Sequence, residues 1–85
     1  MDRETILAEL KKVITPYTEN KEKLAAITEE TDLIKDLNIN SSNLVDIIID
    51  AESKYGIEID FESSEKMVRV GSAIDLIQEK INKTA

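Results

Sequence analysis

The sequence predicts an all-α fold: a small bundle of three main helices and one short helix, with a long loop between the first and second helices. Three observations carry this expectation. Apolar residues recur at helical spacing in three separate segments. One proline and two glycines are too little punctuation for an all-β fold. A chain of 85 residues supports one modest core, so residues 1–85 are read as a single domain.

The first helix is expected from about Asp2 to Thr15. Ile6, Leu7, Leu10, Val13, Ile14 and Tyr17 share one face at helical spacing. Asp2 is placed to cap it, and Pro16 should end it. Residues 18 to 40 form the long connection. Its polar start, Thr18 to Lys23, reads as loop. Leu24, Ile27, Leu33, Ile34 and Leu37 are expected to pin it to the core, with one or two short helical turns.

The second helix is expected from Ser41 to Tyr55, stopping at Gly56 as a left-handed cap. Steps of about 100° place Leu44, Ile47, Ile48, Ala51 and Tyr55 on the core side. Asn43, Asp46, Asp50 and Ser53 then face solvent, with Val45 and Ile49 on the flank. Ile57 to Phe61 alternates like a strand, but no second strand candidate exists to pair with it, so an extended loop is expected. A short helix should follow around residues 63 to 68. Ser72 is expected to open the last helix, with Asp75 three residues on as a near capping box. Ala73, Ile74, Ile77 and Ile81 supply its apolar face.

The net charge of −7 argues against nucleic acid or an anionic membrane as the main partner and favours a basic protein surface. No apolar run approaches a membrane span, and the first residues lack the pattern of a signal peptide. The default compartment is the cytoplasm. The chain has no histidine and no cysteine, so the commonest general base, nucleophilic thiol and zinc ligands are missing. There is no glycine-rich phosphate loop and no EF-hand spacing. No catalytic residue and no metal site are expected.

The most informative stretch is Asn38-Ile39-Asn40-Ser41-Ser42-Asn43. A hydroxyl at a helix start can carry a phosphodiester, because the first backbone N–H groups are unpaired and the dipole favours negative charge. The same residues are also ordinary N-cap types, and spacing alone leaves Ser41 as either. Residues 41 to 67 hold seven acids (Asp46, Asp50, Glu52, Glu58, Asp60, Glu62 and Glu65) against two bases. That surface is either a solvated face or a docking face.

The chain resembles the acyl carrier protein family. Asp36-Leu37-Asn38-Ile39-Asn40-Ser41-Ser42 matches the stretch that contains the family's Asp-Leu-Gly and Asp-Ser-Leu. Val45-Asp46-Ile47 sits where the family has Val-Glu-Leu, and Glu52-Ser53-Lys54-Tyr55-Gly56-Ile57-Glu58-Ile59 is similar to Glu-Glu-x-Phe-Gly-Ile-x-Ile. Glu65-Lys66-Met67 and Val70 to Ile77 are similar to the end of the family's third helix and to its last helix. The blocks keep family spacing from Asp32 to about Ile81. Two departures stand at the motif: Asn40 replaces the aspartate and Ser42 the leucine. They suggest a specialised carrier.

The resemblance implies phosphopantetheine attached to Ser41, flanked by Asn40 and Ser42, with an acyl chain held on its thiol. The register favours Ser41 over Ser42, because it alone keeps Val45 and Asp46 on the family's positions. The implied partners are a phosphopantetheinyl transferase and acyl-transfer, condensing or other acyl-processing enzymes with basic patches. They would meet Val45, Asp46, Ile49, Asp50 and Glu52. Leu33, Ile34, Ala51, Ile59, Met67, Ala73 and Leu76 match positions lining an acyl-chain cavity. A monomer is expected that serves as a tethered substrate and not as an enzyme. The alternatives are a carrier of aminoacyl or polyketide groups and an unmodified acidic helical interaction domain.

Overall fold

The computed structural model describes residues 2–84. Three helices dominate: α1 (Arg3–Ile14), α3 (Ser41–Tyr55) and α5 (Val70–Thr84). Between them lie two short ones, α2 (Lys21–Ala25) and α4 (Phe61–Ser64). Helix α1 runs on into a 3₁₀ turn at Thr15–Tyr17, and α4 into another at Glu65–Val68. No strand forms among the described residues; Asp32 and Arg69 share one isolated antiparallel bridge.

Local chemistry sets most of these bounds. The Asp2 carboxylate accepts from the Thr5 amide at 2.8 Å and caps α1. Pro16 cannot supply the N–H that α-helix would need, and α1 tightens into 3₁₀ there. The Asn20 side chain accepts from the Lys23 amide at 3.1 Å and starts α2. Asn40 does the same for α3, accepting from the Asn43 amide at 2.8 Å. Gly56 ends α3 at φ 63°, a left-handed conformation that costs glycine no Cβ clash. Asp60 accepts from the Ser63 amide at 2.8 Å, so α4 begins two residues before the sequence suggested.

Helix α1 packs against both α3 and α5. The core joins Ile6, Leu10 and Ile14 of α1 to Leu44, Ile47, Ile48 and Ala51 of α3 and Val70, Ala73, Ile74 and Ile77 of α5. The long connection adds Leu24, Ile27, Leu33, Leu37 and Ile39. Thr18 is buried with it, its hydroxyl donating to the Leu37 carbonyl at 2.8 Å and accepting from the Asn20 amide. Buried hydroxyls need such partners.

Two expectations are corrected here. Ile34 is not a pin: it is 38% exposed. The Asp32 carboxylate accepts from the amides of both Ile34 and Lys35, which winds a tight turn. That turn sends Leu33 and Leu37 inward and Ile34 outward. Ser72 does not open the last helix either, because α5 starts at Val70. Its first donors are met by distant backbone and not by a side chain. The Val70 amide donates to the Thr31 carbonyl at 3.0 Å, and the Gly71 amide to the Glu29 carbonyl at 2.7 Å. Asp75 is turned instead toward Arg3, 2.5 Å from Nη1. Arg3 also grips Glu29 and donates to Gln78 at 3.0 Å, clamping α1 to the connection and to α5. This guanidinium holds the Glu29 carboxyl below the usual carboxylate range.

Candidate functional site

Ser41 is the first residue of α3 and is exposed. The capping position belongs to Asn40, whose Oδ1 takes the Asn43 amide. The Ser41 hydroxyl is therefore not spent on the cap, and it makes no hydrogen bond among the described residues. That removes the simplest structural use of this serine.

The backbone around it is prepared for an anion. Asn40 accounts for the amides of Asn43 and Leu44, through its side chain and its carbonyl respectively. The amides of Ser41 and Ser42 have no acceptor among the described residues. No acidic residue lies in the first turn of α3. Two open N–H groups at the positive end of a 15-residue helix favour a phosphate group. The neutral Asn40 keeps the cap of an aspartate while leaving out its charge.

The rest of α3 sorts its side chains by face. Ser41, Val45 and Ile49 follow one another at four-residue intervals, so they form one ridge. Val45 and Ile49 are each 54% exposed, the most exposed large apolar side chains described. Asp46 and Asp50 are exposed beside them. The Tyr17 hydroxyl donates to Asp50 Oδ2 at 2.9 Å, and this carboxylate raises the tyrosine pKa. Glu52 stands apart from the expected docking set. It is half-buried, and its Oε2 accepts from the Ile59 amide at 3.0 Å, bracing the loop after α3.

The side chains expected around an acyl chain are mostly core. Ala51, Met67, Ala73, Leu33 and Leu76 are buried and Ile59 is half-buried, while Ile34 faces solvent. Sequence reading missed Tyr17, Asn20 and Asn38, which come close to the start of α3 and line one cleft with Asn40 and Asn43. Asn38 adopts φ 57°, where the motif's glycine would stand. Tyr17 reads by spacing as part of the first helix's apolar face and Asn38 as part of the motif stretch, while Asn20 is marked only by its polarity.

The fold and site define a small acidic helical bundle whose central helix opens on an exposed serine that its cap does not use. Comparison with known proteins makes the assignment specific. The chain is 36% identical to the acyl carrier protein of Thermotoga maritima over 79 residues, covering 93% of this chain and 95% of that one. It is 35% identical to the acyl carrier protein of Coprothermobacter proteolyticus, covering 95% and 96% of the two chains. A solved structure of the acyl carrier protein from Enterococcus faecalis matches with a TM-score of 0.77 at 29% identity, covering 94% of this chain and 99% of that one. No family model matches. The chain belongs to the acyl carrier protein family.

Proposed function

We propose that this protein carries acyl groups on a phosphopantetheine arm attached to Ser41, and delivers them to enzymes of fatty acid, lipid or secondary-metabolite synthesis. The observation that carries this reading is the exposed, unspent Ser41 hydroxyl beside two open backbone amides. A phosphate ester formed there would meet the amides of Ser41 and Ser42 and no carboxylate in the same helical turn. When bound, the arm supplies the thiol that this cysteine-free chain lacks.

The chain's own residues do the remaining work. Asn40 holds the helix start, so that the hydroxyl is presented at a fixed position. Val45 and Ile49 offer apolar contact along the ridge that begins at Ser41. Asp46 and Asp50 give that ridge a charge that speeds encounter with basic partner surfaces. Ser42, where the motif has leucine, makes the start of the ridge polar and selects partners accordingly. On this reading the protein is a substrate for its partners and works in the cytoplasm. No described helix is long and apolar enough to cross a membrane.

The test is conversion by a phosphopantetheinyl transferase with coenzyme A. Intact mass should rise by one arm in the wild type and in Ser42→Ala, and stay unchanged in Ser41→Ala. A wild type that stays bare with several competent transferases would leave an unmodified interaction domain as the answer.

A further inference from the structure

We infer that Thr18 is a positioning residue for the modification of Ser41: its buried hydroxyl holds the loop that delivers α3, while its neighbour Tyr17 holds α3 itself. This rests on the carrier reading above. Ser41 lies in the first turn of α3, whose opening amides have no acceptor among the described residues. Its place depends on the Asn40 cap, and the cap depends on the loop before it. That loop passes through Asn38 at φ 57°, a left-handed conformation that is costly for a residue with a side chain and persists only where its surroundings impose it. The peptide plane between Leu37 and Asn38 defines this angle. Its carbonyl oxygen is the atom to which Thr18 Oγ1 donates, at 2.8 Å.

Thr18 is 4% exposed, the one buried polar residue among those described. Its hydroxyl also accepts from the Asn20 amide at 3.2 Å, which fixes the direction of its own proton toward Leu37. A side chain needed only to fill this space would be better served by valine, which has the same shape and no hydroxyl to satisfy. On either side of the Leu37–Asn38 peptide, Leu37 and Ile39 are fully buried, and the Ile39 amide donates to the Leu33 carbonyl at 3.1 Å. Tyr17 acts on the other side of Ser41, its hydroxyl donating to Asp50 Oδ2 at 2.9 Å further along α3. Two consecutive residues therefore grip the backbone both before and after Asn40. Pro16 stiffens the turn that carries them. Without these grips the first turn of α3 loosens, and the Ser41 hydroxyl is no longer offered in one place. The acidic face lies elsewhere on the helix and still docks. Loss of the grip is thus a loss of orientation and not of encounter.

The test is steady-state kinetics of arm transfer from coenzyme A to the full chain, with a transferase that converts the wild type and at a temperature well below every variant's unfolding midpoint. Thr18→Val should lower kcat about tenfold and leave KM for the carrier near its wild-type value, because orientation is lost and docking is kept. Thr18→Ser retains the hydroxyl and should retain kcat. Ile77→Val trims the core within α5, controls for lost stability, and should also retain kcat. Hydrogen exchange should show the amides of Ile39, Asn43 and Leu44 losing protection in Thr18→Val, with those of α5 unchanged. Tyr17→Phe removes an exposed bond, leaves the chain folded, and should lower kcat about threefold. Wild-type kcat in either Thr18→Val or Tyr17→Phe would overturn the two-sided hold, and the second variant decides even if the first does not fold. A loss in Thr18→Ser or Ile77→Val equal to that in Thr18→Val would overturn it too, by making the hydroxyl irrelevant. A wild type that no transferase converts is a different result: it strikes down the carrier reading itself, before any variant is compared.

Discussion

The hydroxyl of Tyr17 donates to the carboxylate of Asp50 at 2.9 Å, tying the turn after α1 to the acidic side of α3. The bond joins residues 33 positions apart and fixes one wall of the cleft beside Ser41. A phenolate beside a carboxylate is disfavoured, so the Tyr17 pKa is raised. Burial and a hydrogen bond to Glu9 raise that of Tyr55. Both shifts lie above the unfolded value of about 10. Their stabilising contribution is therefore complete below about pH 10 and lost as pH rises through the folded values. Tyrosinate absorbance should stay low near pH 10 while the chain is folded. Tyr17→Phe should leave a single late titration, that of Tyr55.

Charge on α3 should control encounter more than chemistry. Asp46→Lys combined with Asp50→Lys is expected to slow turnover by acyl-processing partners roughly tenfold at low ionic strength. The effect should shrink as salt is added, because exposed charges are screened. Steady-state kinetics across a salt series measure this. Unchanged turnover at low salt would remove the acidic face from the mechanism.

Gly71 is required for a close approach and not for a turn. A Cβ at this position would meet the Glu29 carbonyl oxygen at 2.8 Å, the same atom that accepts the Gly71 amide. Backbone must move to admit a side chain there. Gly71→Ala should cost about 1–3 kcal/mol, the usual penalty of overpacking, read from thermal or urea unfolding by circular dichroism. A neutral result would mean that the connection is free to shift away from α5.

Leu33 and Ile34 are neighbours with opposite fates. Leu33 is 2% exposed, whereas Ile34 turns outward. Leu33→Ala should cost about 2–5 kcal/mol through lost burial and a residual cavity. Ile34→Ser should stay within about 0.5 kcal/mol, as surface substitutions do. The same unfolding measurement on both variants separates the two environments.

What could be read from the sequence follows how local each signal is. Asp2, Pro16, Asn40 and Gly56 act within a turn of the helices they bound, and α1 and α3 were legible almost to the residue. The start of α5 was not, because the carbonyls of Glu29 and Thr31 satisfy its first donors from some forty residues away. Ile34 was misread because apolar character alone does not show the turn that Asp32 imposes. Ile39 and Ile57 join the core from outside any helix. At the site, Ser41 stood out through its motif, but its freedom from capping became visible only once Asn40 was seen to hold the cap. The cleft beside it gathers Tyr17 from the turn after α1 and Asn20 and Asn38 from opposite ends of the connection, a proximity that no periodicity encodes.

The most direct measurement is fragmentation of the peptide spanning residues 36 to 54 after treatment with coenzyme A and a phosphopantetheinyl transferase. The account predicts a single phosphopantetheinyl group, located on Ser41. A group located on Ser42, or a peptide that stays unmodified while a known carrier in the same tube is converted, would contradict it.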